Sequence, residues 1–256
     1  MEHHRYAWSA GSLEKSMSTF VLVHGAWHGG WCWSKVKHAL EAASGTVHTP
    51  TLTGLGERVH LASREICLET HIEDVVRLIE YELLTDVILV GHSYAGVVVT
   101  AVADRVSQRL SRLVYLDAVV PKNKQCLFDC AGPEFRRQIE DQVRTHGEGW
   151  KIPVPSPTML GLAEDEDINW ACPRLVPHPY RTFDEPVVLR HATIPVVPRS
   201  YVNCIGANAP GGPRTGQAEG IDDYHELSTG HDAMVTVPEK VSELLLRIAE
   251  PPSNDT

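Results

Sequence analysis

The stretch Asp86 to Ala103, D-V-I-L-V-G-H-S-Y-A-G-V-V-V-T-A-V-A, constrains the fold more than any other part of the chain. Asp86–Val90 is a short run whose apolar residues do not alternate with polar ones. That reads as a strand covered on both faces. Gly91 to Gly96 then makes a turn largely of small residues, and Tyr94 to Val106 continues as a mostly apolar helix. A buried strand feeding a buried helix is the start of a parallel crossover, and its sheet needs helices on both sides.

The pattern repeats on either side. Phe20–Val23 reads as a strand entering a loop, Trp31 to Ala43 as a helix and Thr46–Leu52 as a second strand, with T-G-L-G-E-R (53–58) as a loop. Thr70 and Glu73 have capping-box spacing, and Ile72, Val75, Val76 and Ile79 follow on one helical face. Arg112–Asp117, Arg199–Ile205 and Tyr224–Leu227 are further strands; Thr236 and Glu239 suggest a second capping box before a final helix through Val241, Leu244, Leu245 and Ile248. The expected class is α/β: a mostly parallel sheet with helices on both faces, built from residues 17–120 and 195–256.

Residues 121–194 break the alternation. They are rich in Pro, carry the acidic cluster Glu164–Asp167 and contain one amphipathic helix, with Phe135, Ile139 and Val143 stopped at Gly147. An insertion of this length reads as a lid over a site. Residues 1–16 read as a flexible extension before a start at Met17, with His3 and His4 in a solvated tail, and residues 207–217 as a Gly/Pro-rich loop.

A net charge of −10 argues against nucleic acid or an anionic membrane as partner. No apolar run has membrane-spanning length, and the N-terminal residues lack the apolar stretch of a signal peptide, so a cytoplasmic protein is expected. The six cysteines form no C-x-x-C pair, and reduced thiols rather than a metal site are expected. A homodimer stays open.

The chemistry centres on Gly91-His92-Ser93-Tyr94-Ala95-Gly96, where a strand ends and a helix begins. A sharp turn there exposes a serine hydroxyl at the C-terminal edge of the sheet. Serine needs a base to take its proton. Of 14 histidines, His231 in S-T-G-H-D-A-M lies between the last strand and the last helix, where a loop returns over the serine. His24 and His92 flank the site, and His225 sits inside a strand. Fixed N–H donors for an oxyanion are expected from Tyr94, after the serine, and from Ala26 in the loop after the first strand.

H-G-A-W-H-G-G-W-C-W, V-I-L-V-G-H-S-Y-A-G and G-H-D-A-M, in this order, resemble the α/β-hydrolase superfamily. The branch they resemble holds plant methylesterases, hydroxynitrile lyases and bacterial esterase relatives. The resemblance covers residues 19–120 and 196–249. It implies a Ser–His–acid hydrolase of small esters without cofactor or metal, with Ser93 and His231 in their usual roles.

The acid does not carry over. Plant members place an aspartate three residues past a cysteine that matches Cys204; here Ala207 stands there, with Asn208 beside it. Asp117, the one carboxylate in L-V-Y-L-D-A-V-V-P, is the replacement the sequence favours, because a buried charge needs a partner. Asp222, Asp223 and Glu219 are the alternatives.

Asp232, where lyases of this branch carry lysine, argues against cyanide release, and Ser93 excludes the aspartate-nucleophile dehalogenases and epoxide hydrolases. Carbamate or amide hydrolysis, cofactor-free dioxygenation and a non-catalytic receptor role stay open. Trp27, Trp150, Trp170 and Met159, with Tyr94, Leu160, Tyr180 and Phe183, are the residues expected to line a pocket for a small apolar or aromatic ester.

Overall fold

The computed structural model describes residues 18–43, 45–191, 197–206 and 220–250. The 1–16 extension, the 207–217 loop and Glu219 lie outside them. The core elements are β1 (Thr19–Val23), α1 (Ser34–Ala42), β2 (Thr46–His48), α2 (Leu68–Tyr81), β3 (Val87–His92), α3 (Ala95–Val106) and β4 (Leu110–Leu116). The inserted segment contributes α4 (Leu127–Ala131), α5 (Pro133–His146), β5 (Lys151–Ile152), α6 (Asp165–Ala171), β6 (His178–Pro179) and α7 (Arg181–Asp184). The chain then returns as β7 (Arg199–Cys204), β8 (Asp223–Leu227), α8 (Ala233–Thr236) and α9 (Pro238–Ala249).

Six strands form one sheet in the order β2-β1-β3-β4-β7-β8, and each neighbouring pair is parallel. Strand residues alternate between two cores, as the pleat requires. Val21, Leu89, Leu113 and Tyr115 pack with α2 and α3, whereas Phe20, Leu22, Ile88, Val90 and Val114 pack with α1 and α9. Both faces are dry, which is why the strands read as unbroken apolar runs. The inserted segment adds a separate antiparallel pair, β5 with β6.

Two helix starts differ from the capping-box reading. Burial of Leu68 draws the chain into helix earlier, so α2 opens after Cys67 and Thr70 sits inside its first turn, where its Oγ1 accepts the Cys67 N–H at 3.3 Å. In α9 Pro238 occupies the first turn and Val237 the cap position. Thr236 instead closes α8 and bonds Thr229 Oγ1 at 2.7 Å. The second strand is shorter than read, and residues 56–61 of the following segment form a 3-10 turn. Among the described residues no helix is long and apolar enough to cross a membrane.

Candidate active site

The C-terminal edge of the sheet collects the chemistry. Ser93 follows β3 directly and takes φ +56°, the left-handed region that costs a non-glycine residue about 1–3 kcal/mol. The turn is held from both sides: the Ser93 N–H donates to Leu116 O at 3.2 Å, and the Val119 N–H donates to Ser93 O at 3.1 Å. Gly96 must be small here. A Cβ on Gly96 would lie 1.9 Å from Val119 O, so α3 reaches the loop after β4 only because that residue is glycine.

Asp117 follows β4 with φ +44°, its N–H bonded to Val202 O at 2.7 Å. His231 follows β8. These strand ends bring the three side chains together although 138 residues separate Ser93 from His231. His231 Nε2 lies 2.7 Å from Ser93 Oγ, and its Nδ1 is hydrogen-bonded to Asp117 Oδ2. Asp117 and His231 are both buried.

Asp222 and Asp223 do not reach this group. Asp222 and Asp223 stand at the start of β8, at the opposite edge of a parallel sheet, one strand length of about 17 Å away. Asp222 accepts the Arg199 N–H at 2.8 Å, and Asp223 pairs with His225 at 2.7 Å.

The neighbouring histidines hold backbone. His24 donates from Nδ1 to Gly25 O at 2.8 Å and accepts the Leu52 N–H at 3.0 Å. His92 donates from Nε2 to His231 O at 3.0 Å, fixing the loop that carries that ring. Burial, aided by neighbouring imidazoles, lowers both to about 3, so both are neutral at ordinary pH. His92, His231 and Asp232 could bring metal-ligating atoms within 4.8 Å of one another. Here His92 Nε2 and both His231 nitrogens serve the hydrogen bonds just described, and Asp232 Oδ2 meets His28 Nε2 at 3.0 Å.

That last pair was not legible as a unit. Burial alone would lower the His28 pKa, but the Asp232 carboxylate outweighs it and holds it above its ordinary value. Burial likewise opposes ionisation of Asp232, and His28 reverses this and holds Asp232 below the usual carboxylate range.

The Ala26 and Tyr94 N–H groups carry no acceptor among the described residues, and both residues line the pocket with Ser93 and His231. Tyr94 is tied down at its other end: its hydroxyl donates to His71 Nδ1 at 2.9 Å, and His71 Nε2 donates to Thr53 O at 2.9 Å. Its ring stacks on Phe183 at 5.4 Å.

The pocket encloses about 330 Å³. Trp27, Met159, Leu160 and Phe183 line it, joined by Leu127 and Phe135 of the inserted segment. Trp150 and Trp170 do not. The Trp150 ring is held by the Lys151 ammonium at 4.7 Å and Arg64 at 6.0 Å. Trp170 packs edge-on against Trp31 at 5.3 Å, between Lys35 and Arg174. Cation–π contacts thus draw both indoles away from the pocket. Tyr180 is also outside, its hydroxyl bonded to Glu140 at 3.2 Å.

The sequence profile described as the alpha/beta hydrolase family matches residues 20–244. A carbendazim hydrolyzing esterase of Nocardioides sp. is 38% identical over 90% of this chain and 98% of its own. A putative chloroplastic methylesterase 14 of Arabidopsis thaliana is 27% identical over 91% of this chain and 72% of its own. Among solved structures, an extracellular α/β-hydrolase from a Paenibacillus species superposes with a TM-score of 0.80 at 26% identity, over 90% of this chain and 98% of that one. It is described as sharing structural and functional homology with tobacco salicylic acid binding protein 2.

Proposed function

Because the chain belongs to the alpha/beta hydrolase family and its relatives include esterases, we propose that it cleaves small carboxylic esters through an acyl-enzyme on Ser93. His231 Nε2 takes the Ser93 proton as Oγ attacks the ester carbonyl. Asp117 keeps the His231 Nδ1 proton in place and stabilises the imidazolium that forms. The tetrahedral oxyanion rests against the Ala26 and Tyr94 N–H groups. Collapse breaks the bond to the leaving alcohol, which takes the proton from His231. A water, deprotonated by the same nitrogen, then releases the acid and restores Ser93.

The observation that carries this reading is the 2.7 Å contact between Ser93 Oγ and His231 Nε2, with Asp117 on the other nitrogen. The apolar walls favour a small apolar or aromatic acyl or alcohol group. A carbamate is the second reading, favoured by the carbendazim hydrolyzing relative at 38% identity. The test is steady-state turnover of p-nitrophenyl acetate, methyl benzoate and carbendazim, a methyl carbamate, by the wild type and Ser93→Ala. Ester turnover is expected, falling by roughly 10⁴-fold or more in the variant. Turnover that survives Ser93→Ala would rule the proposal out, and preference for carbendazim would select the second reading.

A further inference from the structure

Trp27 directly follows the proposed oxyanion donor Ala26 and takes φ +66°, a conformation that a tryptophan holds only when its surroundings enforce it. Its surroundings are the inserted segment. The Trp27 N–H donates to His178 Nδ1 at 3.4 Å, its C=O accepts the Val176 N–H at 3.0 Å, and its indole Nε1–H donates to Ile152 O at 3.3 Å. All three partners lie in or beside the β5–β6 pair.

The Ala26–Trp27 peptide is held at both ends. Its carbonyl, on Ala26, accepts a hydrogen bond from His28 Nδ1 at 2.7 Å, and His28 is anchored through Asp232 to the loop carrying His231. Its N–H, on Trp27, goes to His178. The two imidazoles therefore fix the plane next to the one that carries the Ala26 N–H.

His178 is itself oriented. Its Nε2 lies 2.7 Å from Thr182 Oγ1, and that hydroxyl donates to Pro179 O at 2.8 Å. The Thr182 oxygen is thus an acceptor for Nε2–H, which leaves Nδ1 as the acceptor that Trp27 requires. Burial, with His71, His24 and His28 nearby, holds the ring neutral, well below the ordinary histidine range. The same ring packs edge-on against Tyr94, the other proposed donor, at 4.8 Å between centroids.

We propose that His178 is a positioning residue for the oxyanion loop, so that the inserted segment completes the catalytic apparatus as well as walling the pocket. This rests on the reading of Ala26 and Tyr94 as oxyanion donors. The β5–β6 pair cannot swing away from the core without releasing Trp27.

The test compares kcat and KM for p-nitrophenyl acetate in the wild type, His178→Leu, which fills the site without an acceptor, and His178→Asn, which restores one. The leucine variant is expected to lose about tenfold to hundredfold in kcat with KM changed by less than about threefold. The asparagine variant is expected to regain most of that loss. Unchanged kcat in His178→Leu, a loss confined to KM, or an asparagine variant no better than leucine would each overturn the proposal. If His178→Leu does not fold, Thr182→Val frees the ring to turn; a fall in kcat at constant KM supports the positioning role and unchanged kcat refutes it. Turnover indifferent to Ser93→Ala would refute the serine-hydrolase reading and this role together, whereas Ser93-dependent turnover indifferent to His178 would refute the positioning role alone.

Discussion

Asp117 Oδ2 accepts a hydrogen bond from His231 Nδ1, although the two residues stand 114 positions apart in the chain. The bond joins the end of β4 to the loop after β8, and it leaves His231 Nε2 facing Ser93. A carboxylate in this place selects the imidazole tautomer that can accept the serine proton.

Asp117→Asn is expected to lower kcat by about 10³- to 10⁴-fold with the fold intact, because an amide N–H facing Nδ1 stabilises the wrong tautomer. Asp222→Asn, whose side chain caps the far edge of the sheet, is expected to be near wild type. Steady-state kinetics beside circular dichroism checks both. An active Asp117→Asn with an inactive Asp222→Asn would reverse the assignment.

Acid should destabilise the fold early. His24 and His92 are lowered to about 3 and His71 to about 4, each chiefly by burial, and His178 falls well below the ordinary value of 6.5. Below 6.5 the unfolded chain takes up protons that these four buried rings refuse, so stability falls as pH falls, by up to about 1.4 kcal/mol per pH unit for each ring. His28 acts oppositely: its raised value contributes stability fully present below 6.5 and lost as pH rises through its folded pKa. Four rings outweigh one, so calorimetry should show Tm falling between pH 7 and pH 5. A flat or rising Tm there would contradict these protonation states.

Gly96→Ala is expected to destabilise by about 2 kcal/mol or more, because the added methyl would meet the Val119 carbonyl at 1.9 Å. The same shift loosens the Val119 N–H bond to Ser93 O, so activity should fall even in protein that folds. Urea titration and kinetics together check this, and wild-type stability in Gly96→Ala would show that α3 can move.

Asp232→Ala leaves His28 buried without its partner and is expected to cost about 3–5 kcal/mol. Chemical denaturation measures it. A loss under about 1 kcal/mol would mean that the pair is not ionised in the folded protein.

Some of this was legible in the residues and some was not. Continuous apolar runs announce strands buried on both faces, and a lone carboxylate at the end of such a strand, as at Asp117, announces a partner. Ser93 is legible because strand, small-residue turn and apolar helix follow one another without a break. Trp150 and Trp170 were misplaced because aromatic residues in an irregular insertion have no period to show which way they face. The two capping boxes failed because Leu68 and Pro238 start their helices at other positions, and burial and proline geometry outrank a single side-chain cap. The clamp of His28 and His178 was hidden for a different reason. His28 stands beside Ala26 and Asp232 beside His231, so each had a local signal, but their meeting depends on loops 204 residues apart. β5 and β6 are two-residue strands, too short for any pattern to reveal.

The most direct test of the central claim is mass spectrometry of the enzyme quenched during turnover of p-nitrophenyl acetate. An acetyl group on the peptide containing Ser93, accumulating faster in Asp117-intact enzyme than in Asp117→Asn and missing from Ser93→Ala, is the predicted result. Steady turnover with no acyl group on Ser93 at any quench time, or with the label on another residue, would contradict it.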